Sequence, residues 1–507
     1  MRFRVSNQST VATTSISSLR SWLDSKGCLA FAILTAVTVI RLIGLRFSVV
    51  DFFYDESQYW SWSHELAFGY FSKPPLLVWV IAIAGKVCGN SEACIRAPAP
   101  LFYLATSLVV YAIARELYDT SVALFAALSI CLATGAAFSA RIISTDVPLL
   151  FFWALALLAY VRLLKYGGLQ WATLLGVSLG FGLLAKYAMV YFFLGLALAA
   201  WFDRDARRIL CSSELWLALA IAALMIAPNV AWNFQNGLAT FRHTGQSING
   251  SNLRLDPFQA IEFFASQFGV FGPVLFAALL LAIARIRSPK INRADRLMLA
   301  FAIPPLAVIT AVALTTRAGG NWAAPAFISG TIVAVALLVH NRAWKWLAAS
   351  MAIGVIIQLM MLVGDAKATR VHVPLLGDVY SRTLGWRSLG EQVGALSQRE
   401  GTRSIVGDSR YVVASLLYYW RDQPQKIFAW LAPWEDFDLT PLFTETAPQP
   451  ILYVSEYSLA GILSTCYERV EILDRLQIPT GPTTSRYYFA YKLVQPRGRI
   501  GPLQACR

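Results

Sequence analysis

Long apolar runs separated by short polar loops fill the first 363 residues, and past that point the pattern changes. The runs are 28–47, 95–114, 119–138, 147–164, 171–186, 187–202, 214–232, 260–284, 297–315, 323–340 and 345–363. Each approaches the ~20 apolar residues that carry a helix across a ~30 Å hydrocarbon core, so eleven spans are expected. Segment 76–88 (LLVWVIAIAGKVC) is apolar but short and contains Lys86; it fits a helix lying in the membrane interface, or a re-entrant piece. Beyond 363 polarity is mixed. Short β-like runs, ILYVSEY (451–457) and YYFAYKLV (487–494), accompany a helix-like RYVVASLLYYWR (410–421). The expected fold class is mainly α: a polytopic membrane bundle of about eleven helices, followed by a C-terminal α/β domain (364–507) large enough to bury its own core. No internal repeat is visible.

Composition agrees with the pattern. The chain is 57% hydrophobic and 14% charged, with mean hydropathy +0.54, whereas soluble domains run nearer 45–50% apolar and about 25% charged. The net charge of +14 does not point to nucleic acid. Its cations sit in short loops on alternate sides: Arg204, Arg207 and Arg208, then Arg285, Arg287, Lys290, Arg293 and Arg296, then Arg342 and Lys345 on one side, with far fewer on the other. The positive-inside rule then places the polar tail 1–27 in the cytoplasm and both the first outer loop (48–94) and the domain 364–507 outside, periplasmic in a bacterial inner membrane. No cleavable leader is expected, because no small-residue cleavage site follows the first run. On the outer side disulfides are permitted, Cys88 with Cys94 and Cys466 with Cys506.

The outer ends of the spans collect the polar residues. The first loop, DFFYDESQYWSWSHELAFGYFSKPPL, sets Asp55, Glu56 and Lys73 among aromatic residues including Tyr59. Arg141 and Asp146 flank the next, SARIISTDVP. Lys186 marks a tight turn in LLAKYAM, Arg242 and His243 lie in ATFRHTGQS, and Arg317, Asn321 and Trp322 in TTRAGGNWAAP. Charges near bilayer depth are costly, so a one-sided concentration points to a shared pocket. Cations suit a lipid phosphate, and carboxylates and aromatic faces suit a sugar. Sugar transfer from a lipid phosphate needs one base for the acceptor hydroxyl and cations for the departing phosphate; a divalent metal would supply part of that charge. Blander assignments exist. Asp55-Glu56 also suits a helix N-terminus, the aromatics an interfacial belt, and Lys186 and Arg141 snorkelling to headgroups. A transporter or flippase is the competing class, against which stand the missing repeat halves and the placement of the polar set at outer span ends rather than mid-span.

YDESQYWSWSHELAFGYFSKPPL, the run on to Arg96, and SARIISTDVPLLFF together resemble the polytopic C-type (GT-C) glycosyltransferases, in the bacterial branch of the protein O-mannosyltransferase and aminoarabinose–lipid A transferase superfamily. The likeness continues through GLLAKYAM, FRHTGQS and GNWAAPAF, and more weakly through Gly385-Trp386 and GDSRYVVASLLYYW. It implies a polyprenyl-phosphate sugar as donor and transfer on the outer membrane face. A glycolipid acceptor, lipid A or lipopolysaccharide core, is favoured over protein. By the same resemblance Asp55 is the essential acid with Glu56 beside it, Lys73 meets the donor phosphate, and Asp146 is the second acid. Asp55 and Asp146 are then the candidate ligands for a divalent cofactor. Relatives carry Glu or His before the Lys-Pro-Pro step where this chain has Ser72, so no metal ligand is implied there.

Overall fold

The computed structural model describes residues 25–248, 255–430, 443–444 and 446–498. The tail before residue 25 and Cys506 lie outside these.

Each of the eleven expected stretches holds helix, but not all as full crossings. Among the described residues six helices are long and apolar enough to span a bilayer: Ser25–Phe47, Glu92–Leu117, Asp146–Tyr166, Ser213–Gln235, Arg293–Val312 and Trp344–Ala366. Four more, Thr120–Leu132, Leu169–Ala185, Tyr187–Phe202 and Ala326–His340, are apolar but shorter. At 1.5 Å per residue, thirteen residues reach only about 20 Å. Helix length alone therefore supports six crossings, or seven with the bent pair below, rather than eleven.

The run 260–284 departs most from expectation. It is two helices, Pro257–Val270 and Pro273–Ala284, meeting at 119°. Gly272 adopts φ +98°, a conformation L side chains resist, and Pro273 follows at the first helical position with no N–H to continue the ladder. An apolar count sees no break there because neither residue is polar. Segment 76–88 forms one helix of 13 residues, Leu76–Cys88.

The outermost helices keep large apolar side chains exposed, among them Phe31 and Ile40 on the first and Trp346, Ile356 and Met360 on the last. A water-soluble protein would bury them; here they form the lipid-facing wall of a multi-pass membrane protein. Inward, Trp153, Tyr160, Phe192 and Phe301 are fully buried and meet edge to face or tilted.

After the last long helix the chain builds a five-stranded sheet in the order β2-β1-β3-β5-β4. The strands are β1 (Ser404–Gly407), β2 (Lys426–Ala429), β3 (Ile451–Ser455), β4 (Tyr467–Pro479) and β5 (Ser485–Pro496). β1 runs parallel to both neighbours, and β5 antiparallel to β3 and β4. Successive residues of β1 serve opposite faces. Ile405 joins Leu389, Val393, Val412 and Leu416 under the helices Trp386–Arg399 and Arg410–Tyr419, and Val406 joins Phe428, Tyr453 and Tyr491 on the other side.

The helix Arg410–Tyr419 lies against the outer-loop helix Tyr54–Trp62, so the sheet is docked onto the membrane bundle. The Tyr419 hydroxyl accepts from Phe52 N (2.7 Å) and donates to Glu92. Tyr418 donates to Asn90 O (2.7 Å). Arg387 Nη2 donates to Glu92 (2.6 Å) and its backbone N–H to Asp51 (3.2 Å). Ring pairs Phe52–Tyr418 (4.4 Å) and Tyr54–Tyr411 (4.3 Å) fill the rest. Cys88 and Cys94 are disulfide-bonded, closing the loop that holds Asn90 and Glu92 in this contact.

Candidate active site

The loop after the first span turns into the helix Tyr54–Trp62, which carries both acids in its first turn. Their surroundings differ sharply. Glu56 is buried (2% exposed) and its four lone-pair sites are filled. Oε1 accepts from Arg96 Nε (2.9 Å) and Ile143 N (3.0 Å), and Oε2 from Arg96 Nη2 (2.6 Å) and Phe53 N (3.0 Å). Arg96, itself buried, spends its remaining N–H groups on the carbonyls of Val50 and Asp51 (2.9 Å each). This pair fixes the loop, the helix start and the 139–146 connection to one another. The expectation of Glu56 as a catalytic carboxylate is thereby corrected: no oxygen of it is left to face a substrate.

Asp55 is one residue away and open, with 34% of its side chain exposed. Oδ1 pairs with Arg410, at the start of the domain helix, which also donates to Gln58 Oε1 (2.7 Å). Oδ2 has no hydrogen-bond partner among the described residues. Beside it stands Lys73, held by a tight turn in which Tyr70 and Lys73 exchange backbone bonds (3.1 and 3.3 Å). Lys73 has no ion-pair or hydrogen-bond partner for its ammonium among the described residues. Burial pushes its pKa below the ordinary lysine value; Asp55 and Asp146 pull it back while Lys186 and Arg410 push it further down. Four charges from distant segments thus act on Lys73 together.

Asp146, the second expected acid, is buried at the start of its helix. It accepts from Lys186 Nζ (2.7 Å) and Asn321 Nδ2 (2.6 Å), tying three outer loops together. A cavity of about 60 Å³ adjoins it, lined also by Tyr103, Leu150, Phe271 and Phe327. Tyr59 is buried one turn after Asp55, and burial, reinforced by the Asp55 charge, holds its hydroxyl well above the usual phenol range. In sum three cations, Lys73, Lys186 and Arg410, face two carboxylates, Asp55 and Asp146, a balance that favours an anionic guest.

The other expected residues are spread around this centre. Arg141 pairs with Asp365, which also accepts from the Tyr380 hydroxyl (2.9 Å). His243 lies edge-on to Phe71 (5.6 Å) and Arg242 is exposed. Arg317 is 86% exposed and 3.9 Å from Glu262, outside the cluster. Trp322 borders it only through its neighbour Asn321. Asp55 and Asp146, the expected metal ligands, each face a cation instead. Among the described residues no three His, Cys, Asp or Glu come close enough to hold a metal ion between them.

Arg410 and Arg96 escaped the motif reading. Arg410 follows Asp408-Ser409 where β1 ends between two parallel neighbours, the point at which open sheets of this kind present functional residues. Ser409 caps the new helix, its Oγ accepting from Val412 N (3.4 Å), and Arg410 is delivered to Asp55.

A membrane-embedded bundle with a charged cluster at one end of its helices, roofed by a small α/β unit, defines a class of polytopic glycosyltransferases. A family model described as dolichyl-phosphate-mannose-protein mannosyltransferase matches residues 72–232. The chain is 35% identical over 399 residues to the lipid A galacturonosyltransferase RgtD of Rhizobium johnstonii, covering 78% of this chain and 84% of that protein. It is 28% identical over 207 residues to the lipopolysaccharide core galacturonosyltransferase RgtB of the same organism, covering 40% and 41%. The crystal structure of ArnT from Cupriavidus metallidurans bound to undecaprenyl phosphate superposes with TM-score 0.66 at 16% identity, over 92% of this chain and 98% of that one; the apo form gives 0.63 at 14%, over 90% and 97%. The chain belongs to the C-type membrane glycosyltransferases, in the family of the lipid A galacturonosyltransferase.

Proposed function

We propose that this enzyme transfers a sugar, a uronic acid as in its 35%-identical relative, from a polyprenyl-phosphate donor to lipid A or the lipopolysaccharide core on the outer face of the inner membrane. The observation that carries the proposal is the unpaired Lys73 ammonium beside an Asp55 oxygen that is also unpaired. A phosphate seated on Lys73, with Lys186 and Arg410 close by, brings the anomeric carbon to the acid. Asp55 Oδ2 takes the proton of the acceptor hydroxyl, the hydroxyl oxygen bonds to the anomeric carbon, and the carbon–oxygen bond to phosphate breaks. The electron pair leaves on the phosphate, whose growing charge the cations hold. One displacement inverts the anomeric centre, and no side chain need act as a covalent nucleophile. Glu56 and Arg96 position Asp55 and do not touch the reacting atoms. On this reading the eleven helical stretches cross or enter the membrane with the N-terminus cytoplasmic, and residues 364–507 form a periplasmic domain that closes over the site.

Purified protein given a radiolabelled polyprenyl-phosphate sugar and lipid A should yield labelled glycolipid. Mass spectrometry of envelope glycolipids from a deletion strain should show one sugar missing. Movement of the donor across proteoliposomes without any covalent product would make the protein a transporter instead.

A further inference from the structure

A second cavity lies away from the charged cluster. It encloses about 710 Å³ where the end of the helix Tyr54–Trp62 and the loop after it meet segment 420–427 of the sheet unit. Neither Asp55 nor Lys73 lines it. The volume falls in the range of small-molecule sites.

Its walls are of a particular kind. Trp60, Trp62, Tyr70, Trp232 and Trp420 contribute ring surface, and Trp62 and Tyr70 stack at 5.0 Å with planes 15° apart. The rings are fixed by their polar edges. Trp60 Nε1 donates to Asn90 Oδ1 (3.0 Å), and Tyr70 donates its hydroxyl to Glu65 O while accepting from Ala67 N (3.0 Å each). Trp232 sits so close to the loop that a Cβ on Gly69 would come within 2.3 Å of its indole; only glycine leaves room for the ring. Between the rings the lining is polar, with Ser61, His64, Asn90, Gln423 and Gln425. Behind it Trp420 Nε1–H and Gln425 Oε1 are buried with no hydrogen-bond partner. The charges cancel locally, Arg421 lying 3.6 Å from Asp422, so an anion is not what this lining selects.

Flat aromatic faces beside neutral polar residues, with paired charges at the rim, suit a carbohydrate. Its C–H faces lie on the rings and its hydroxyls satisfy the polar edges. We infer that this cavity binds the saccharide headgroup of the acceptor, the sugar unit beyond the one that receives the transferred residue. The inference rests on the proposed transferase reading. Asp55 and Trp62 lie seven residues apart on one helix, about 10 Å along its axis, so a second ring reaches the cavity while the first meets Asp55.

The test uses the full-length protein in detergent micelles and a soluble probe, the disaccharide left when lipid A is fully deacylated, followed by saturation-transfer NMR and by titration of tryptophan fluorescence. Gln425→Leu removes a polar side chain from the lining and Gly69→Ala displaces Trp232. Each is expected to weaken probe binding at least fivefold and to raise the acceptor KM similarly, leaving kcat and donor KM within twofold. Unchanged thermal midpoints show that the variants fold, and agreement between two unrelated positions guards against a local defect. Wild-type binding of the probe by both variants, or a rise in donor KM in place of acceptor KM, overturns the inference. If wild type binds the disaccharide, the variants do not, and no sugar is ever transferred, the cavity assignment stands and the transferase reading falls. Transfer with acceptor KM and probe binding untouched by either variant does the reverse.

Discussion

Asp55 and Glu56 are neighbours in opposite surroundings, and substitution should separate the tasks proposed for them. Asp55→Asn keeps the shape and loses the basicity, so turnover should drop at least about a hundredfold while donor binding persists. Lys73→Ala should weaken donor binding and also slow transfer, because the phosphate charge grows as the bond breaks. If Asp55→Asn abolishes donor binding and spares the rate per complex, the roles are reversed. Lys73 also sets a pH limb. Its free-enzyme pKa is lowered by burial, and the ammonium is the form that holds phosphate. Donor affinity should therefore decline as pH rises through a value below that of an ordinary lysine, by about tenfold per unit beyond it. Lys73→Arg should bind only in part, as a planar fork replaces a compact ammonium, yet it should remove that limb; a limb that persists assigns the titration elsewhere. Glu56→Gln should act on the fold: Arg96 would stay buried without a counter-charge, at a cost of about 3–5 kcal/mol. Thermal unfolding in detergent should shift sharply while the folded fraction keeps most of its turnover. Normal stability with lost turnover would return Glu56 to the chemistry.

Between elements, the tie of Asp146 to Lys186 and Asn321 joins the starts of loops far apart in the chain. Breaking a mostly buried ion pair from one side costs more than removing it whole. Asp146→Asn and Lys186→Met should each destabilise, and the double variant should cost less than their sum, with a coupling of about 1–3 kcal/mol in a double-mutant cycle. Simple additivity would mean that the two side chains do not depend on each other. The bend at Gly272 belongs to this scale too: Pro257–Val270 returns toward the site, and Gln267 Nε2 donates to Gly320 O (3.2 Å) beside Asn321.

For the whole molecule, the docked sheet completes the site rather than decorating it. Arg410→Ala should lower kcat at least tenfold with the thermal midpoint little changed, because Asp55 loses its orienting partner and the cluster loses a cation; Arg410→Lys should recover only part. Wild-type turnover in Arg410→Ala would make the sheet dispensable for chemistry. Reporter fusions after residues 210 and 290 should read cytoplasmic and a fusion after 400 periplasmic. An inside signal at 400 would remove the lid from the site.

The sequence alone determined the membrane class, the helical stretches and the loop that contributes Asp55 and Lys73 to the charged cluster, because hydrocarbon imposes a span length and a charge asymmetry that composition must obey. The polar set Asp55, Lys73, Asp146, Lys186 and Asn321 was legible for the same reason: charge at bilayer depth is costly and stands out. Tertiary structure decided the rest. Only packing shows that Glu56 is saturated by Arg96 and two backbone N–H groups, since adjacent carboxylates look alike until their partners are known. Only the docked sheet brings Arg410 to Asp55 across more than 350 positions, and only dihedral angles bend the largely apolar run at Gly272. Hydropathy records how much surface a residue must hide, and it carries no record of which distant group will meet its polar atoms.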